Sequence, residues 1–139
     1  MLIEGVTMRD LFHGFAAISL AMTISGAALA EGPDLADGKK IFARCKACHT
    51  LEEGGKDGIG PNLHGVFGRT AGTKEGVKFS KAMTAKGAEG LVWSEETLSV
   101  YLEKPAAMVP GTNMAFPGLK KEEDRASLIA YLKSETGAE

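Results

Sequence analysis

Cysteine is nearly absent from this chain: Cys45 and Cys48 are the only two in 139 residues. A scaffold stapled by several disulfides is therefore excluded. Positive charge is not in surplus either. Lys and Arg number 16 against 18 Asp and Glu, a formal net charge of −2. Nucleic acid as a partner, which demands a basic excess, is argued against by that balance. No stretch alternates apolar and polar residues as a half-buried strand would, and no internal repeat or low-complexity tract is present. Aromatics are only 6% of the residues, with a single Trp, so few large side chains are on hand to fill a core.

The first thirty residues differ from the rest. Residues 11–30 carry no charge and close on Ala28-Leu29-Ala30. An apolar run ending in a small-x-small site predicts a secretory signal peptide over residues 1–30. Residues 1–10 hold Glu4, Arg9 and Asp10, which is not a positive n-region, and Met8 as the true start removes Glu4. An uncleaved anchor is the alternative, since about 20 apolar residues span a bilayer. Cleavage leaves one domain, residues 31–139, with 15 basic against 16 acidic residues. Export also places the chain in an oxidising compartment, the periplasm, where a disulfide is chemically permitted.

In that domain the spacing of Leu35, Gly38 and Phe42 predicts a helix over 34–48. Gly38 is a poor helix residue, costing roughly 1 kcal/mol against Ala, so a close backbone approach is expected there. The glycine-rich stretch 50–78 has no regular period. A short helix is expected over 79–86. Ser94, followed by Glu95 and Glu96, is a good N-cap for a helix that Pro105 stops at 104. Residues 110–118, framed by Pro110 and Pro117, cannot be regular structure. The clearest helix is 120–134, with acids early and Gly137 as its stop. The fold class is thus all-α: four to five short helices joined by long glycine-rich loops. Such an inventory is short of a core for about 110 residues. A large apolar cofactor would supply it.

Cys45, Cys48 and His49 form C-x-x-C-H, the attachment signature of c-type haem. Residues three apart on a helix share a face, so both sulfurs can bond one haem, and His49 can reach its iron. The alternatives fit less well. A redox dithiol wants a preceding strand and βα context. A structural zinc site needs four ligands, and residues 31–139 offer only Cys45, Cys48, His49 and His64 at poor spacing. A disulfide across two residues closes too small a loop to stabilise much.

For the opposite face of the iron, residues 31–139 contain Met83, Met108 and Met114. Met83 lies in an expected helix and reads as core. Met108 sits in the apolar run Ala106-Ala107-Met108-Val109. Met114, in the proline-framed loop, is the expected ligand. His64 reads as structural, its ring satisfying backbone groups of a tight turn.

Taken in order, GKKIF, CKACH, GPNLHGVFGR, WSEETLSVYLEKP, PGTNMAF and SLIAYLK resemble class I cytochromes c, in the style of small soluble bacterial relatives of mitochondrial cytochrome c. The resemblance runs from about residue 37 to 136. It implies a cytochrome c fold around one covalently bound haem c per chain, with His49 and Met114 on the iron. It further implies that Gly38 and Phe42 cross the last helix near Leu128 and Tyr131. By the same resemblance, the Pro61 carbonyl accepts from His49, Arg69 and Trp93 bond haem propionates, Tyr101 lies beside the Met114 sulfur, and Thr112 pins that loop. The sequence departs from the mitochondrial pattern in two ways. One residue fewer separates Phe42 from Cys45, and Ala106, Ala107 and Asn113 stand where lysines ring the haem edge. Arg44, Lys46 and Lys104 remain, beside the Ala-Ala-Met-Val run, which implies weaker electrostatic steering and a more apolar docking surface.

The function expected is a periplasmic one-electron carrier, a monomer and not an enzyme. It would shuttle between redox partners such as a quinol-oxidising complex, a terminal oxidase, a reaction centre or a periplasmic dehydrogenase. The rival is a peroxidase-like or ligand-binding haem protein in which Met114 is displaced.

Overall fold

The structure, a computed structural model, describes residues 32–138. The expected signal peptide, residues 1–30, lies outside them. Five helices follow in order: α1 Leu35–Phe42, α2 Lys81–Ala88, α3 Glu95–Glu103, α4 Pro105–Met108 and α5 Glu122–Thr136. No strand occurs among the described residues; Thr70 and Val92 make an isolated antiparallel bridge. None of these helices is long and apolar enough to cross a membrane.

Local chemistry sets the helix ends. Asp34 caps α1 by accepting from the Ala36 and Asp37 N–H groups. Ser94 and Thr97 form a reciprocal capping box at α3. Pro105 opens α4, where its missing N–H costs nothing. Gly137 ends α5 with φ 68°. The helix expected over 34–48 stops at Phe42 and continues as single turns, Cys45 N–H to the Phe42 carbonyl at 2.7 Å and His49 N–H to the Cys45 carbonyl at 2.9 Å. Helix α4 was not anticipated, because Pro105 reads as a stop before it reads as a start.

Gly38 explains how α1 meets α5. A Cβ there would overlap the Ser127 carbonyl oxygen and stand 2.6 Å from Tyr131 Cβ. One turn on, the Phe42 and Tyr131 rings lie 5.8 Å apart. Helix α5 therefore rests backbone-to-backbone on α1 and also packs on α3. The expected crossing is present, with Ser127 rather than Leu128 nearest Gly38.

Phe42, Met83, Trp93, Leu98, Leu102, Leu128 and Leu132 are buried core residues, and the same side chains line a cleft of about 330 Å³. The core is a shell around that cleft, which is why the sequence lacks enough large side chains to fill it.

Candidate functional site

Cys45, Cys48, His49 and Met114 all line the cleft. The turns after α1 bring both sulfurs and the imidazole to the cleft lining. No disulfide joins Cys45 to Cys48, and each is partly buried. Burial pushes the Cys45 thiol up, only partly countered by Arg44. A redox dithiol needs the opposite, a depressed thiol that ionises. Among the described residues no three His, Cys, Asp or Glu side chains are grouped to hold a metal ion, so the zinc alternative lacks its ligand set.

His49 is fixed in one tautomer. Its Nδ1–H donates to the Pro61 carbonyl at 2.7 Å, which leaves Nε2 with a free lone pair for a metal. Gly60 makes the approach possible: any Cβ there would stand 2.5 Å from His49 Cε1 and 2.9 Å from Nδ1. The loop is held in turn by Asn62, which is buried and donates from Nδ2 to Thr50 Oγ1 and the Glu52 carbonyl.

Elsewhere in the lining, Thr112 Oγ1 accepts the Met114 N–H at 3.2 Å and is hydrogen-bonded to the Tyr101 hydroxyl at 3.1 Å. Tyr101 is thus joined to the methionine loop through Thr112. Its ring packs on Trp93, with centroids 5.0 Å apart. Trp93 N–H donates to the Arg69 carbonyl at 3.0 Å, and the Trp93 carbonyl accepts from Gly68 at 2.7 Å. That short antiparallel pairing sets Trp93 and Arg69 side by side on the cleft wall. The Arg69 guanidinium donates to the His64 carbonyl.

All nine site residues expected from the sequence (Cys45, Cys48, His49, Pro61, Arg69, Trp93, Tyr101, Thr112 and Met114) therefore line this one cleft. Met83 is a buried core residue that also reaches its lining. Two expectations are corrected. The His64 ring does not satisfy the turn: its backbone does, with N–H to Asn62 Oδ1, while Nδ1 is buried without a partner among the described residues. Asn62 and Arg69 have already taken the polar groups of that turn. The Ala-Ala-Met-Val patch is also smaller than expected, because Val109 is fully buried and only Ala106 and Ala107 are exposed.

Three residues escaped the sequence reading. Ile59 lines the cleft yet is 89% exposed; an isolated isoleucine between two glycines was the available signal. Arg125 is buried and donates to Ser99 Oγ and to the Leu119 and Lys120 carbonyls. Asp57 accepts the Asn62 N–H at 2.7 Å and pairs with Lys74. Neither had a sequence signal, since both depend on contacts with distant or irregular backbone.

The donor set fits a c-type haem: two thiols three residues apart, an imidazole with Nε2 available, a thioether in the same cleft, and an apolar lining. Comparison with known proteins agrees. The family model described as Cytochrome c matches residues 35–136. Cytochrome c2 of Afifella marina is 47% identical over 103 residues, 74% of this chain and 83% of that protein. Cytochrome c of Gibberella zeae is 49% identical over 106 residues, 76% of this chain and 97% of that protein. Cytochrome c of Stellaria longipes is 50% identical over 104 residues, 74% of this chain and 94% of that protein.

Proposed function

Because this chain belongs to the cytochrome c family, an electron carrier and not an enzyme, we propose that it carries single electrons in the periplasm through one haem c. Cys45 and Cys48 would hold that haem by thioethers, and His49 and Met114 would ligate its iron. When bound, the haem supplies one-electron chemistry at its iron. The observation that carries this reading is the His49–Pro61 hydrogen bond, which leaves Nε2 available to a metal in a cleft also lined by Cys45, Cys48 and Met114.

The chain's own residues do the rest. Pro61 orients His49 and raises its basicity. The Tyr101–Thr112 link holds the Met114 loop, and a methionine opposite a histidine raises the reduction potential. Phe42, Leu98, Leu128 and Leu132 keep water out. Arg69 and Trp93 also line the cleft and would bind the haem carboxylates.

Partners are redox proteins: a quinol-oxidising complex, a terminal oxidase, a reaction centre or a periplasmic dehydrogenase. The apolar segment ending at Ala30 supports export, with cleavage leaving residues 31–139. Exposed Ile59, Ala106 and Ala107 support a docking rim that is partly apolar.

A far-red sulfur-to-iron band in the oxidised protein, lost in Met114→Leu, tests the ligand assignment. A high-spin wild-type protein that avidly binds external ligands would overturn it in favour of a ligand-binding haem protein.

A further inference from the structure

Two hydrogen bonds meet on one peptide group. The Pro61–Asn62 peptide offers its carbonyl to His49 Nδ1 at 2.7 Å and its N–H to Asp57 Oδ1, also at 2.7 Å. The amide is conjugated, so a strong acceptor on its N–H increases electron density on its carbonyl oxygen. Hydrogen bonds in a chain polarise one another, by about 10–30% per bond. A bond to a carboxylate is roughly twice as strong as one between neutral groups. Carboxylate, peptide and imidazole are thus coupled in series.

The peptide cannot turn away from either partner. Asn62 is 4% exposed, and its side chain donates to Thr50 and Glu52 and accepts from the His64 N–H. Beyond Asp57 stands Lys74, its Nζ 2.8 Å from Oδ1 and 2.9 Å from Oδ2. This ion pair is partly exposed, and such pairs contribute about 0–1 kcal/mol to stability. Bracing the fold is therefore a weak reason for a carboxylate at this place.

We propose that Asp57 is a positioning residue for His49, acting through the Pro61–Asn62 peptide, and that Lys74 sets how much of its charge reaches the imidazole. The proposal rests on His49 being the iron ligand. A carboxylate in contact with a ligating imidazole raises its basicity, and here that influence is relayed across one amide. A more basic imidazole favours ferric iron, so Asp57 lowers the reduction potential and Lys74 moderates the effect.

The test compares wild type, Asp57→Asn and Lys74→Gln as holoproteins. Asparagine keeps the acceptor oxygen and the shape, and Lys74→Gln leaves Asp57 intact. Reduction potentials are measured at low salt and in about 1 M salt, where the screening length is about 3 Å. The His49 Nδ1–H resonance is followed in the reduced proteins. The expected result is a roughly threefold shift of the reduction equilibrium toward ferrous in Asp57→Asn, about 28 mV at about 59 mV per tenfold for one electron. Lys74→Gln is expected to shift it oppositely, both shifts to survive salt, and the Nδ1–H resonance to move in opposite senses. Shifts of the same sign would reduce the pair to a brace and overturn the proposal. Shifts abolished by salt with an unmoved Nδ1–H would mean ordinary surface charge, and would also overturn it. A wild type without haem or without the far-red band would instead sink the proposed function.

Discussion

The hydroxyls of Tyr101 and Thr112 meet at 3.1 Å and join helix α3 to the loop that presents Met114. Thr112 Oγ1 accepts the Met114 N–H as well, so one oxygen holds both ends of the link. Burial pushes the Tyr101 phenol up, with the Thr112 bond acting in the opposite direction. Thr112→Val removes both contacts and is expected to cost about 1–2 kcal/mol. The far-red band of the oxidised protein should then disappear at lower temperature than in wild type, with Tyr101→Phe in between. An unchanged midpoint would show that the loop holds Met114 without this link.

Gly38→Ala tests the seam between α1 and α5. The new methyl meets the Ser127 carbonyl and Tyr131 Cβ, neither of which lies at the end of a flexible side chain. Overpacking of this kind costs about 1–3 kcal/mol, and backbone on one side places it at the upper end. Each kcal/mol lowers the melting temperature of a domain of about 100 residues by about 4–8 °C. A fall of at least 10 °C in a thermal melt is expected; a fall under 3 °C would mean the helices separate easily.

Arg125 ties α5 to both neighbouring segments. Its guanidinium serves Ser99 on α3 and the carbonyls of Leu119 and Lys120, where the methionine loop ends. Arg125→Met keeps much of the volume but leaves these oxygens without their donor, at about 1–3 kcal/mol for each buried one. Denaturant unfolding should show a loss of about 2–4 kcal/mol. Arg125→Lys should recover only part, because one ammonium cannot match the planar fork.

Docking should be weakly steered. Ile59 is 89% exposed beside the cleft, and Ala106 and Ala107 are exposed nearby in sequence to Met108. Strong steering changes association rates by about 10–10³-fold with ionic strength. Stopped-flow electron transfer with the native partner should vary less than about tenfold between low and high salt. Ile59→Ser should slow it at every salt concentration. A steep salt dependence unaffected by Ile59→Ser would place recognition on the lysines instead.

How much of this was readable beforehand follows from what each residue depends on. Cys45, Cys48 and His49 lie within five residues and carry their chemistry in their spacing, so their meeting in one cleft was legible. Met114 was singled out because its loop is framed by prolines while Met83 belongs to a helix, and the structure places both in the cleft lining. Gly38 announced a close contact because nothing else explains a glycine inside α1. Helix boundaries moved by about two residues where caps decide them: Ser80 starts α2 at Lys81, and Ser94 starts α3 at Glu95. Helix α4 hid behind Pro105, a residue that both ends and begins helices. Asp57 and Arg125 were illegible for a different reason. Each acts on backbone groups of irregular segments, and no sequence period reports where those groups point. The His64 ring was misjudged because Asn62 and Arg69, not the imidazole, take the turn's polar groups.

The most direct test is the intact mass of the denatured protein, purified after expression with a c-type maturation system. The account predicts the polypeptide from Glu31 plus one haem, still attached after acidified acetone. A mass equal to the bare polypeptide, with the pigment released into the solvent, would contradict it.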